Sequence, residues 1–177
     1  MKFLLVLILL FCVAAYLIAP QFSKNMEQSY ADDAIVVVKM IGTTNRMYSL
    51  DYHGQWASGP IDNACNSAAC GGAGRGGREV PGCNLVACNY LAHQDWDGKK
   101  YNFYALDASA APSNSNPCGN FPSARAWKAC AVRKTAADGD RSAPRYSAGW
   151  AYAVGDDDVL VGSLPAAGAA PVPLPEK

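Results

Sequence analysis

The chain has 177 residues, with fifteen Lys and Arg against fifteen Asp and Glu, so its formal net charge is zero. That length suits one domain with an appendage and excludes two full enzymatic domains. The balance excludes a global basic field that would draw nucleic acid or acidic lipid as the main partner.

From Phe3 to Ala19 the only ionisable side chain is the thiol of Cys12, and Lys2 stands just before the run. These seventeen residues span ~25 Å as a helix, the short end of a bilayer crossing. Lys2 gives a positive-inside signal that puts the N-terminus in the cytoplasm and everything after Pro20 outside. The rival reading is a cleaved secretory signal peptide, with Val13-Ala14-Ala15 as the small-residue cleavage site.

After Pro20 the apolar residues fall at Phe22, Met26, Tyr30, Ala34, Val37, Ile41 and Tyr48, a spacing that lays one stripe along an α-helix. The β-branched run Ile35–Val38 and Gly42 argue locally for a strand. The four-residue spacing continues on both sides of the valines, so the expectation is a helix, bent or loosened at Pro20 without ending there.

Behind an export signal, an even set of cysteines reads as a disulfide framework. Six remain outside the apolar run: Cys65, Cys70, Cys83, Cys88, Cys118 and Cys130. The first four have a spacing that a zinc site would also accept in a reducing compartment. Three disulfides are expected, with the pairing open.

Glycine, asparagine and serine dominate from Gly54 to Gly98, where a long ordered loop with one short helix near Leu85–Leu91 is expected. Strand signals follow at Lys100–Asp107 and Ala124–Lys134. Ser147–Val154 then turns through "GDDD" into Val159–Leu164 as a hairpin. The last residues, "PAAGAAPVPLPEK", read as an extended, mostly unpacked tail. The predicted organisation is therefore α+β: a helix over 1–53 (1–19 hydrophobic, 20–53 amphipathic), a Gly/Cys-rich loop region over 54–98, an antiparallel sheet over 99–164 and a Pro/Ala-rich tail over 165–177.

No residue pattern points to catalysis. His53 and His93 read as loop histidines. The glycines from Gly71 to Gly77 lack the Lys-Ser/Thr of a phosphate loop. Arg75-Gly76-Gly77-Arg78 reads as a turn. Arg125, Lys128, Arg133, Lys134, Arg141 and Arg145 read as a solvated face, so nucleic acid is not expected as a partner. Trp127 and Trp150 are expected in the core. The acidic stretches Asp95-Trp96-Asp97-Gly98 and Asp156-Asp157-Asp158 read as turns, although their carboxylates are also of the kind that holds Ca²⁺.

An apolar N-terminal helix, a proline, an amphipathic continuation and a small C-terminal sheet together resemble the type IV pilin and pseudopilin family. The residues that carry the resemblance are "AAYLIAPQFSKNMEQSYADDAIVVVKMIGTTNRMYSLDYHGQWASG", Ala14 to Gly59, about a third of the chain. It implies a non-enzymatic structural subunit, major or minor, of a type IV pilus or type II secretion pseudopilus.

In such a subunit the helix waits in the bacterial inner membrane. It then packs with the helices of sister chains or other pilins, through the assembly machinery, into an extracellular or periplasmic filament. Filament packing is expected of Phe3, Leu5, Leu9, Val13, Leu17 and Pro20, and helix-to-sheet packing of Phe22, Met26, Tyr30, Val37, Ile41 and Tyr48. No cofactor is implied beyond Ca²⁺, which some pseudopilins hold near the C-terminal sheet, here at Asp156, Asp157 and Asp158. Aligned on Pro20, the family's early glutamate falls at about Phe3 and its leader upstream of Met1. The expectation is a start codon further upstream, with a basic leader and Gly-Phe in frame. A secreted disulfide-rich binding domain with a cleaved signal peptide is the alternative.

Overall fold

The structure, a computed structural model, describes residues 2–71, 80–110, 113–163 and 170–175, with the backbone alone at 2–6, 8–19, 113–115, 120 and 122–124. Helix α1 runs unbroken through 50 residues, Lys2–Asp51, with Pro20 inside it. Local strand preference at Ile35–Val38 is overridden because the helix buries three of those four residues against a sheet: Ile35, Val37 and Val38 are buried together with Ala34 and Ile41, while Val36 faces outward. The helix stops where His53 takes a left-handed φ of 58° and the Gly54 N–H returns 2.7 Å to Ser49 O, a glycine-assisted C-terminal cap. Among the described residues, no helix is long and apolar enough to cross a membrane. The side chains of Phe3, Leu5, Leu9, Val13 and Leu17, expected to pack in a filament, lie outside the described residues.

The strands are β1 (Ala57–Ile61), β2 (Val80–Pro81), β3 (Tyr101–Ala105), β4 (Ser113–Asn116), β5 (Gly119–Arg125), β6 (Trp127–Arg133), β7 (Ala151–Gly155) and β8 (Leu160–Gly162). Six form one sheet in the order β2-β1-β3-β6-β7-β8, antiparallel except for the β1–β2 pair, and β4 with β5 forms a separate hairpin. One short helix, α2 (Asn84–Ala87), lies in the cysteine-rich region.

The 54–98 region departs from a pure loop because β1 and β2 extend the sheet there. Gly82 permits their close approach: a Cβ at that position would sit 2.5 Å from Gly59 O. The loop expected after β3 likewise contains the β4–β5 hairpin.

Two cores result. The larger lies between α1 and one sheet face, built from Ala31, Ala34, Val38, Ile41, Tyr48, Phe103, Tyr152 and Val154 with their neighbours. The smaller lies on the opposite face, where Phe121 and Trp127 meet at 5.0 Å beside Cys118, Cys130 and Leu106.

Disulfides join Cys65 to Cys83, Cys70 to Cys88 and Cys118 to Cys130. The first two each span 18 residues and run side by side, tying the start of the glycine-rich stretch to α2 and its flanks. The third fastens the turn of the β4–β5 hairpin to β6. Closing a loop of this size removes about 3 kcal/mol of chain entropy from the unfolded state.

Candidate functional site

The chain's distinctive surface is α1, and its two faces follow two interleaved spacings. Glu27, Ala31, Ala34, Val38, Ile41, Asn45 and Tyr48 recur in alternating steps of four and three and are all buried against the sheet. Two residues on, ~200° around the helix axis, a second series runs through Phe22, Met26, Ser29, Asp33, Val36, Met40, Thr43, Met47 and Leu50. Every member of it is exposed.

The expected stripe from Phe22 to Tyr48 is corrected accordingly. Val37, Ile41 and Tyr48 do pack toward the sheet and Tyr30 is half-buried, but Phe22 (64 % exposed) and Met26 (41 % exposed) belong to the outer series. The cause is geometric. Steps of four alone drift around a 3.6-residue helix, and the true seam is completed by Glu27 and Asn45, which a count of apolar residues skips. Pro20 lies exposed within α1.

Two polar pins hold the seam in register. At one end Arg133, 1 % exposed, forks onto Glu27 with Nε at 2.8 Å from Oε2 and Nη2 at 2.9 Å from Oε1. Its remaining nitrogen, Nη1, donates to Asp140 Oδ2 at 2.7 Å and to the carbonyls of Lys100 and Lys134. The guanidinium and the Lys100 ammonium both lie over the Tyr30 ring, at 5.9 and 5.8 Å. Burial alone would raise the Asp140 carboxyl, but hydrogen bonds from Ser142 and Arg133, together with the Arg133 charge, outweigh it and hold the group well below the usual carboxylate range.

At the other end, Asn45 accepts the Ala57 N–H at 3.0 Å. It divides its two amide hydrogens among the carbonyls of Ala57, Leu106 and Lys128, each at 3.0 Å. One side chain thereby fastens α1 to β1, to β6 and to the residue that follows β3.

The acidic turn Asp156–Asp158 connects β7 and β8 and serves as a counter-ion bank. Asp157 pairs with Arg125 at 2.8 Å, while Asp158 takes the fully buried Lys128 ammonium and Arg46. The Lys128 hydrogen bond, aided by Arg46, holds the Asp158 carboxyl below its ordinary range. The three aspartates offered above as Ca²⁺ ligands are thus placed in a turn where two of them already meet protein cations. Asp95 likewise accepts hydrogen bonds from Asn63 and Gly98 rather than facing an open site.

Among the described residues, one grouping brings metal-ligating atoms together: Asp62, Cys65 and Cys83. Its two sulfurs are bonded to each other, so neither is a thiolate. The basic run expected as a solvated face is divided, because Lys128 and Arg133 are buried. His53 and His93 are exposed, and His53 serves the helix cap. Trp127 and Trp150 are buried in the two cores. What this arrangement can do is pack: it fixes one face of a long helix with polar pins and leaves the other exposed, apolar at six of its nine positions and paired to Lys99 at Asp33.

No protein-family model, no curated protein and no solved structure matches this chain.

Proposed function

We propose that the chain is a non-catalytic structural subunit of a pilin-like helical filament, a type IV pilus or type II secretion pseudopilus. In this reading it polymerises by packing α1 against the helices of sister chains. The observation that carries it is the exposed outer series, in which Phe22, Met26, Val36, Met40, Met47 and Leu50 present apolar side chains at helical spacing on the face turned away from the sheet, with Asp33 of the same series paired to Lys99.

Counting back by the same steps lands on Ala19, Ala15, Cys12, Ile8 and Leu5, so the spacing runs on into the apolar run. An apolar head, held first in the inner membrane, and an apolar ridge below it would form one continuous packing seam. Burying six such side chains between copies is worth on the order of 10 kcal/mol before ordering costs. A head-to-tail contact that does not close propagates into a filament.

The test is V36D/M40D in the full chain, with assembly followed by electron microscopy and fold by urea denaturation. Both positions are exposed in the single chain, so the unfolding midpoint is expected to hold while filaments disappear. Filaments of wild-type length and number from the variant would sink the reading. A mature N-terminus near Tyr16, read by N-terminal sequencing, would replace it with the secreted disulfide-rich domain.

A further inference from the structure

Every residue from Ala170 to Pro175 is either a proline or stands directly before one. Proline fixes its own φ near −65° and pushes the preceding residue out of the helical region. The favoured backbone for such a run is the left-handed polyproline helix, with about three residues per turn and no internal hydrogen bonds. Its carbonyls must therefore find donors elsewhere.

Two of them do. Trp150 Nε1 donates to Ala170 O at 2.9 Å and Tyr152 Oη donates to Pro173 O at 3.0 Å. The acceptors are three residues apart in sequence, one polyproline turn. The Ala170 N–H donates to Tyr146 O at 3.0 Å, which sets where the segment begins.

Below it, Val172 lies against Gly162, where an added Cβ would come within 2.9 Å of the valine methyl. Lys24, Asn25 and Gln28 of α1 line a cavity together with Tyr146, Trp150 and the tail's own Ala170, Pro171 and Pro173. Tyr146, edge-on to Trp150 at 6.1 Å, is joined to α1 through Ser23. Of the tail expected to be mostly unpacked, residues 170–175 are described; Ala170, Val172 and Pro173 are partly buried along this groove and Pro171, Leu174 and Pro175 are exposed, while 165–169 and 176–177 lie outside the described residues.

We infer that this is a recognition groove for polyproline segments of the pattern Pro-x-Pro, occupied by the chain's own residues 170–175 and able to take the same segment from a second copy. Aromatic side chains donating to the carbonyls of a preformed extended helix are the physical basis of proline-rich peptide recognition, because a stiff ligand loses little entropy on binding. None of the contacts depends on the tail's covalent connection. The connection contributes only effective concentration. Two copies held side by side would offer each groove a neighbour's tail at a comparable concentration, and exchange of identical segments costs little. The groove would bind a peptide whether or not the α1 helices polymerise, so this inference and the filament reading fail separately.

The probe is a fluorescently labelled synthetic peptide, Ala-Pro-Val-Pro-Leu-Pro, titrated against the full chain and followed by anisotropy. In P171G/P173G the chain's own tail loses its stiffness. The peptide is expected to bind that variant at least ~10-fold more tightly than wild type. Adding W150F, or G162V to fill the floor beneath Val172, is expected to reverse the gain.

Absence of binding to a P171G/P173G chain with a wild-type circular dichroism spectrum, or equal binding after W150F, would overturn the inference. Should the glycine variant fail to fold, the wild-type chain decides. With the chain isotope-labelled and the peptide unlabelled, the chain's own Val172 methyl resonances are expected to shift as its tail is displaced by a large excess of peptide, and resonances that stay in place overturn the proposal.

Discussion

At one end of the contact between α1 and the sheet a carboxylate meets a guanidinium; at the other, a neutral amide meets three carbonyls and an N–H. Both contacts sit in the same buried seam, 18 residues apart at Glu27 and Asn45, and both fix the rotation of the helix. They differ in what they need around them. The charged pair loses its hydration on burial and must recover it from Asp140, the Lys100 and Lys134 carbonyls and the Tyr30 ring. The amide carries no charge and is satisfied by strand ends already present. The charged end therefore depends on a network of several residues and on pH, whereas the neutral end depends on one side chain.

The largest break in this comparison is expected from Glu27→Ala, which leaves Arg133 buried with two of its five hydrogen bonds removed. A loss of about 3–5 kcal/mol in urea denaturation is expected, and a loss under about 1 kcal/mol would show that the pair is not desolvated in solution. Asn45→Ala is expected to cost less, about 2–3 kcal/mol, because it strands the Ala57 N–H and three partly satisfied carbonyls without leaving a charge. Should it equal or exceed the Glu27 change, the ranking of the two ends is reversed.

The smallest effect is the acid dependence. The folded Asp140 carboxyl lies below its unfolded value, so its stabilisation is fully present above about pH 5. It fades as pH falls through the unfolded value near ~3.9 toward the depressed folded one. Asp140→Asn is expected to flatten the fall of the unfolding midpoint between about pH 5 and pH 3, while Asn45→Ala shifts the whole curve without changing its slope. An unaltered slope in Asp140→Asn would remove that group from the network.

The difference between the two ends also explains which parts of the molecule were legible beforehand. The length of α1, the presence of disulfides, the β7–β8 hairpin and the short helix near Leu85 are local matters of spacing, cysteine parity and turn chemistry. The rotation of α1 was not legible. Glu27 and Asn45 look like surface residues in a linear pattern, and their place inside depends on Arg133, Asp140 and the β1 backbone, which lie far off in the chain. The one local hint is that Glu27 and Asn45 continue, in steps of four and three, the spacing of Ala31, Ala34, Val38, Ile41 and Tyr48.

The same holds for Asp156–Asp158. Their turn was readable, but their counter-ions Arg125, Lys128 and Arg46 come from β5, β6 and α1.

By itself the sequence determined that this chain has a long helix with an apolar head, an oxidised cysteine framework, a strand-rich second half and a stiff proline-bearing end, since each follows from interactions between near neighbours in the chain. Only the tertiary structure decided which helix face is covered, which cysteines meet, that the glycine-rich region contributes strands, and that the tail lies in an aromatic groove. Those outcomes depend on which distant groups come within a few ångströms of one another, and spacing along a chain does not encode that distance.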